Sequence, residues 1–178
     1  MRAFLWCNGE IPSQEIISNL GEISPLFGVD GGGAKANSLG LNVNEILGDL
    51  DSIDNDDSQI KKTLLENQHF SDLTKTINEL AKRGFSEFDI LGVDGGDTGH
   101  ILGIWGSLAE LSQDLVIRLY HQNSITHRIT TESGDFKFEI DKDRLFSVFA
   151  LSKCQNVSIK GAEWEIFNEE LDLSTKGL

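Results

Sequence analysis

Short apolar runs, separated by polar and glycine-rich turns, recur between residues 4 and 119 of the chain. The segment 72–83 lies between two of these runs, and its Leu73, Ile77 and Leu80 fall on one side of a helix. Strands that alternate with helices predict an α/β fold, with a mostly parallel, Rossmann-like sheet and helices on both faces. The predicted strands lie at 4–7, 25–29, 45–47, 88–91 and 115–119.

The pattern changes after Leu119. The stretches that follow are short, rich in β-branched and aromatic residues and without a long helical period, which is typical of an all-β region such as a small sandwich. They lie at 121–131, 135–140, 145–151 and 155–159. We therefore predict an α/β domain over 1–120 and a small all-β sandwich domain over 121–178, with the boundary between Tyr120 and Asn123.

Composition places the chain among globular proteins. Its 178 residues are 39% hydrophobic and 25% charged, which is enough apolar material for a packed interior. No stretch reaches the roughly 18 apolar residues of a membrane span, and the first residues lack the basic flank and apolar core of a signal peptide. We therefore expect no membrane partner and a cytoplasmic location. The two cysteines, Cys7 and Cys154, predict neither a disulfide framework nor a structural zinc site.

The chain is strongly acidic, with a net charge of −14 and a pI near 4.5. This charge argues against a nucleic-acid partner, because phosphate backbones are bound by clustered Lys and Arg. An anionic substrate would need something to offset like-charge repulsion, and a divalent cation held by carboxylates is the usual means.

One candidate for such a site is the segment Gly48-Asp49-Leu50-Asp51-Ser52, which follows the apolar pair Ile46-Leu47. Two carboxylates one residue apart at the carboxyl end of a strand can direct their oxygens toward one cation. The alternative is an acidic turn that caps a helix near Ser58.

A second polar turn, at residues 30–35, also follows a predicted strand and leads into a predicted helix. Its Asp30, Gly31 and Gly32 begin a glycine run that would let the backbone approach a ligand closely. A tight turn between strand and helix explains the same residues. The G-K-[ST] ending of a Walker loop is missing.

A third cluster extends from Gln68 to Lys75. Ser71 is a candidate N-cap with Asp72 in the first helical turn, which explains both residues structurally. The functional alternative makes Asp72 a third metal carboxylate and Lys75 a phosphate partner one turn along the same helix face.

A fourth turn, Gly95-Gly96 with His100, again lies between a predicted strand and a predicted helix. His100 alone is compatible with a packing role or with acid–base chemistry. All four turns follow predicted strands of one sheet, and the carboxyl ends of such strands meet in a single crevice. We therefore expect the four turns to lie close together.

The order of these motifs resembles that of the thiamine pyrophosphokinase family. That family is similar in showing D-G-G-A, then G-D-x-D-S, then Q-x-x-[ST]-D-x-x-K, then G-G-R-x-D-[HQ], followed by an all-β domain. Residues 161–164, Gly-Ala-Glu-Trp, and 174–177, Ser-Thr-Lys-Gly, are similar to two further family segments. The family's Ser-Asn pair would come next, but the sequence stops at Leu178, so the resemblance implies a truncated or incomplete thiamine site.

The resemblance implies transfer of a pyrophosphoryl group from ATP to thiamine by a homodimer that uses Mg²⁺. It assigns the metal to Asp49, Asp51 and Asp72, and these residues with Lys75 form the implied catalytic set. The implied nucleotide and thiamine contacts are Asp30, Gly31, Gly32, Ser52, Gln68, Ser71, Gly95, Gly96, His100, Trp164 and Ser174.

Two positions depart from the family pattern. Asp97 stands where the family has Arg, and Gly99 stands where it has Asp. An anion in place of a phosphate-binding cation is costly unless a metal or a partner chain compensates. Two alternatives therefore stay open: a related diphosphokinase acting on another heterocyclic alcohol such as a hydroxymethylpterin, or a non-catalytic homologue that binds nucleotide or thiamine.

Overall fold

The computed structural model of the protein describes residues 1–51, 59–174 and 176. The chain divides into two compact units, Met1–Asp135 and Phe136–Leu178. None of the helices in the described part of the chain combines the length and the apolar character needed to span a membrane.

The first unit is built on a sheet of seven strands in the order β4-β3-β2-β1-β5-β6-β7. The six strands from β4 to β6 are parallel, and β7 joins the edge antiparallel to β6. The α/β prediction is confirmed, and so are the five predicted strands and the predicted helix. The elements are β1 Arg2–Trp6, α1 Gln14–Asn19, β2 Leu26–Val29, α2 Gly32–Ser38, β3 Val43–Gly48, β4 Lys61–Leu64, α3 Asp72–Lys82, β5 Glu87–Leu91, α4 Thr98–Glu110, β6 Val116–Tyr120, β7 Ile125–His127 and a 3₁₀ turn at Thr131–Ser133.

The direction in which strands are added reverses beside β1. The chain adds β2, β3 and β4 on one side of β1 and then returns to add β5, β6 and β7 on the other. In open α/β sheets the crevice for a ligand lies at such a reversal, outside the carboxyl ends of the strands. The loops after β1, β2, β3 and β5 all leave the sheet at this edge.

Strand β4 was not predicted from the sequence. Its sequence, Lys-Lys-Thr-Leu, is polar because it forms the sheet edge, where few side chains are buried. It is held by the nearly buried Glu45, whose carboxylate accepts hydrogen bonds from Lys61 Nζ at 3.0 Å and Thr63 Oγ1 at 2.5 Å. The strand therefore depends on polar contacts with β3 that hydrophobic periodicity does not reveal.

Glycines allow α2 to start directly against the strand ends. A Cβ on Gly32 would lie 2.1 Å from the carbonyl oxygen of Trp6, and a Cβ on Gly28 would lie 2.2 Å from the Cα of Gly33. Gly31, Gly32 and Gly33 are all buried. The tight-turn interpretation of this motif is therefore correct for Gly32, whose missing side chain is needed for packing against β1.

The second unit contains a small antiparallel sheet of two strands, β8 Cys154–Ile159 and β9 Ile166–Leu171. The predicted strands at 135–140 and 145–151 do not form. The aromatic residues of these runs instead pack on one another, with ring centroids 5.6 Å apart for Phe136 and Phe138 and 5.9 Å apart for Phe138 and Phe146.

The division between the units falls after Asp135, beyond the predicted boundary near Tyr120. The difference arises because β7 pairs with β6 and extends the first sheet. The following residues are also bound to the first unit, since Arg128 donates to the carbonyl oxygen of Ser112 at 2.8 Å and Thr130 Oγ1 donates to that of Gln113 at 2.7 Å.

The close contact at Gly32 leads to a first prediction. Gly32→Ala should lower the free energy of unfolding by about 1–3 kcal/mol, because the added methyl group meets rigid backbone atoms of β1. The measurement is urea unfolding of the full chain followed by circular dichroism.

Gly103→Ala is the matched control. Among the described residues, no atom outside the helix's own backbone and the neighbouring residues lies within 4 Å of the position where its Cβ would be, and Gly103 lies inside α4. This variant should be neutral or more stable by up to about 1 kcal/mol. Equal stability of the two variants would contradict the packing account.

Candidate functional site

Three carboxylates gather where β2 and β3 end. Asp30, Asp49 and Asp51 each offer one oxygen, and these oxygens all lie within 4.8 Å of one another. The two strands are parallel neighbours, and the Asp30 amide donates to the carbonyl oxygen of Leu47 at 2.8 Å. Asp30 and Leu50 have left-handed backbone conformations, with φ of 46° and 61°, that bend the two turns at this edge.

Asp30 is pressed against the end of β3. A Cβ on Gly48 would lie 2.9 Å from the Cβ of Asp30, so the glycine makes this approach possible. Asp30 Oδ1 is buried and has no hydrogen-bond partner among the described residues. A buried carboxylate oxygen without a donor is costly, and a bound cation or water would remove that cost.

Asp72 and Lys75 lie beside this group on the first turn of α3. Asp72 Oδ1 accepts a hydrogen bond from the Asp49 amide at 3.0 Å and forms an ion pair with Lys75 Nζ at 2.8 Å. Lys75 Nζ also lies 4.0 Å from Asp49 Oδ2 and donates to the carbonyl oxygen of Leu65 at 3.2 Å. The side chain of Lys75 is 5% exposed, so its ammonium group is held between two carboxylates.

The structure thus places Asp72 next to Asp49, whereas the third member of the close carboxylate group is Asp30. From the sequence, we predicted Asp30 as a nucleotide or thiamine contact and not as a metal ligand. A signal was present, because Asp30 follows β2 in the same way that Asp49 follows β3. The pairing of these two neighbouring strands brings the two carboxylates together.

The surroundings of Asp49 favour its ionised form. Burial acts to raise the pKa of Asp49, but hydrogen bonds from the Asp51 amide and from Gln68 and the charge of Lys75 outweigh it, so this pKa lies below its ordinary value of 3.8. Gln68 Nε2 donates to Asp49 Oδ2 at 3.4 Å. Predicted site residues from two separate motifs therefore meet at Asp49.

Ser71 has a clear structural role. Its Oγ accepts a hydrogen bond from the Thr74 amide at 3.1 Å, which confirms the predicted N-cap of α3. The same oxygen lies 2.8 Å from Ser107 Oγ in α4. These contacts fix the start of the helix that carries Asp72 and Lys75.

The loop after β5 is joined to the loop after β1. The Gly9 amide donates to the carbonyl oxygen of Gly92 at 2.8 Å, and the Glu10 amide donates to that of Asp94 at 2.6 Å. Gly95 has a φ of 81°, and its Cβ would lie 2.7 Å from Glu10 Cγ. The two loops therefore form one wall of the crevice.

Asp97 caps helix α4 in this loop. Its Oδ1 accepts a hydrogen bond from the His100 amide at 2.8 Å. The residue that departs from the family's arginine thus stabilises the helix start. His100 is exposed, and its imidazole lies against Gly96, whose Cβ would be 3.2 Å from His100 Cδ2.

A small pocket lies beside this loop, between α4 and the end of β6. It is lined by Val93, Asp94, Gly95, Ile101, Ile104, Trp105 and His121. Trp105 stacks on His121 with the ring centroids 6.5 Å apart. The ring nitrogens of His121 lie 2.5 Å from Asp94 Oδ1 and 2.9 Å from Thr126 Oγ1, so both of its polar atoms are used within the fold.

Three further residues belong to the predicted site, namely Ser52, Trp164 and Ser174. Trp164 and Ser174 belong to the second unit, and Trp164 is 76% exposed. Ser52 lies outside the described residues, as does the helix predicted near Ser58.

The environment of Asp49 leads to a second prediction. Its pKa, measured by NMR titration of the side-chain carbonyl, should lie below 3.8. Lys75→Met should raise that pKa because a positive charge 4.0 Å away is lost. Lys82→Met removes a charge at the other end of α3 and should leave the pKa of Asp49 unchanged.

The lowered pKa of Asp49 also determines how this residue contributes to stability as the pH changes. A carboxyl whose pKa is lower in the folded chain stabilises the fold above its ordinary pKa, and this contribution is lost as the pH falls through the lowered value. Asp49→Asn should therefore flatten the acid limb of the stability profile. Equal pKa values of Asp49 in the wild type and in Lys75→Met would contradict the described ion pairs.

Solved structures of similar fold include proteins from three bacteria, Bacillus subtilis, Enterococcus faecalis and Staphylococcus saprophyticus. The thiamine pyrophosphokinase from Bacillus subtilis has a TM-score of 0.77 and 17% identity, covering 100% of this chain and 88% of that one. A thiamin pyrophosphokinase family protein from Enterococcus faecalis has a TM-score of 0.66 and 16% identity, covering 98% and 86%. A probable thiamine pyrophosphokinase from Staphylococcus saprophyticus subsp. saprophyticus has a TM-score of 0.53 and 25% identity, covering 67% and 64%.

A comparison with curated protein sequences gives no match. The family model described as the thiamin pyrophosphokinase catalytic domain matches residues 21–120, which is more than half of the chain. The matched segment contains Asp30, Asp49, Asp51, Asp72 and Lys75. The chain therefore belongs to the thiamin pyrophosphokinase family.

Proposed function

We propose that the protein transfers a pyrophosphoryl group from ATP to the hydroxyethyl oxygen of thiamine, giving thiamine diphosphate and AMP. The observation that carries this proposal is the group of Asp30, Asp49 and Asp51 at the ligand-binding edge of the sheet, with Lys75 beside it. Membership of the thiamin pyrophosphokinase family supports the choice of reaction.

The carboxylate group fits a magnesium ion. Mg²⁺ prefers oxygen ligands and is held by one or two carboxylates together with the substrate phosphates. Asp49 and Asp51 would supply two of these ligands, and the unpartnered Oδ1 of Asp30 is suited to a third. When bound, the ion would neutralise charge on the phosphate oxygens.

Asp72 remains a proposed contributor. Its Oδ1 is already bound to Lys75 and to the Asp49 amide, so it fixes the position of Asp49. Its Oδ2 makes no hydrogen bond within the described residues, and the side chain is 29% exposed. We assign to this oxygen the orientation of the attacking hydroxyl group, which would accept its hydrogen bond.

Lys75 contributes charge in two ways. Its ammonium group keeps Asp49 and Asp72 together despite their like charges. It also adds a positive charge to an acidic edge that has to admit a polyphosphate. Pyrophosphoryl transfer depends chiefly on positioning the reactants and on neutralising the charge of the phosphate oxygens. The contacts of Lys75 would serve both needs.

Asp97 keeps a second candidate function open. Its carboxylate caps α4 in the loop where the family pattern has a cation, so the edge has one positive charge fewer than the pattern provides. A homologue that binds nucleotide or thiamine without turnover would fit this change. Release of AMP distinguishes the two functions, since only the kinase produces it.

The third prediction tests the proposed reaction. Full-length protein with Mg²⁺ and ATP should release AMP only when thiamine is added, and the double variant Asp49→Asn/Asp51→Asn should lose at least about 100-fold in rate. The measurement is chromatographic quantification of AMP and thiamine diphosphate over time.

The matched control is Asp141→Asn/Asp143→Asn. These residues belong to another D-x-D segment, which lies in the second unit. Both side chains are exposed. This variant carries the same change in charge and should retain the wild-type rate. Binding of ATP or thiamine without AMP release by the wild type would favour the non-catalytic homologue.

A further inference from the structure

Lys35 reaches the crevice from helix α2. Its Nζ donates a short hydrogen bond to the carbonyl oxygen of Gly9 and a longer one, 3.3 Å, to that of Asn8. Both acceptors lie in the loop after β1, the strand beside which the sheet order reverses. The ammonium group is therefore fixed on the wall of the crevice, although Lys35 itself is only partly buried.

The partners of Lys35 differ from those of Lys75. Lys75 is bound to the carboxylate of Asp72, which neutralises its charge. Within the described part of the chain both hydrogen bonds of Lys35 Nζ go to neutral carbonyl oxygens, and no carboxylate lies within 4.0 Å of it. Lys35 thus holds a positive charge that forms no ion pair with any residue that the structure describes.

The loop that Lys35 contacts lies between two parts of the proposed site, because β1 lies between β2 and β5 in the sheet. On one side is Asp30, whose motif begins α2 and ends β2. On the other is the loop carrying Gly95, Gly96 and Asp97, which is joined to the loop after β1 through the Gly9 amide. A chain of phosphates extending from the carboxylate group toward the Gly95-Gly96 turn would pass the loop that Lys35 contacts.

The electrostatic need is specific to this sequence. Asp97 is an anion in that loop, and the whole chain has a net charge of −14. A polyphosphate at this edge has to be stabilised by the few cations that the fold directs there. We propose that Lys35 binds the phosphate oxygens of the nucleoside triphosphate and supplies the charge that Asp97 does not.

This inference rests on the proposed function, since it concerns the same crevice and the same substrate. Lys35 Nζ exchanges at least one carbonyl contact for a phosphate oxygen when the nucleotide binds. Lys35 is therefore a binding residue for the substrate. Its contribution to affinity grows with the number of phosphates on the ligand.

The fourth prediction concerns the affinities for ligands with different numbers of phosphates, measured by calorimetry on the full chain. Lys35→Gln should weaken the binding of Mg-ATP by about tenfold or more, because a charge-assisted hydrogen bond is lost. Its effect on AMP should be smaller, and adenosine should bind as it does to the wild type. Lys35→Arg keeps the charge and should recover most of the affinity for Mg-ATP.

Lys82→Gln is the control, because it removes one exposed lysine at the far end of α3. An equal affinity for Mg-ATP in Lys35→Gln and Lys82→Gln would overturn the inference. An equal loss for ATP, AMP and adenosine with a lowered melting temperature would also overturn it, because that result describes a structural contact only.

Magnesium tripolyphosphate separates this inference from the proposed function. Binding of this probe that depends on Lys35, without binding of ATP, would support the anion site and contradict a nucleotide substrate. Binding of neither probe by the wild type would contradict both. Lys35-dependent binding of Mg-ATP without thiamine-dependent AMP release would support the inference and contradict the transfer reaction.

Discussion

The structure of the site depends on one constraint, the confinement of like charges at the ends of two adjacent strands. Asp30, Asp49 and Asp51 have oxygens within 4.8 Å of one another, and one buried oxygen of Asp30 lacks a donor among the described residues. Such an arrangement raises the free energy of the folded chain unless a cation is bound. The ion pairs of Lys75 with Asp72 and Asp49 offset part of this repulsion.

The topology of the sheet and its glycines bring these carboxylates together. Parallel neighbours β2 and β3 bring their carboxyl ends to the same edge, and Gly48 lets Asp30 approach β3 closely. Gly32 and Gly28 let α2 pack on the strand ends without a gap. Asp30 is therefore held close to the end of β3, from which Asp49 and Asp51 follow. A site built in this way favours a fixed charge pattern, as phosphoryl-type transfer requires.

Much of the first unit could be predicted, because its central strands are apolar and its long helix is periodic. Strand β4 was missed because polar contacts of Glu45 hold it at the edge. The first compact unit extends past the predicted boundary because β7 continues the sheet beyond the change in sequence pattern. Each polar turn was recognised, but the choice of Asp30 as the third close carboxylate depends on strand pairing, which a single sequence does not reveal. In the second unit, the β-branched and aromatic residues of 135–140 predicted a strand, but the rings of Phe136 and Phe138 pack on each other instead.

The most direct measurement for the central claim is titration of the full chain with Mn²⁺, followed by electron paramagnetic resonance of the free ion. Our account predicts one specific site in the wild type. It also predicts that Asp30→Asn weakens this site by about tenfold or more, because one of a few charged ligands is lost. The control Asp141→Asn should bind Mn²⁺ as the wild type does. Unchanged affinity in Asp30→Asn, or no specific binding in the wild type, would contradict the account.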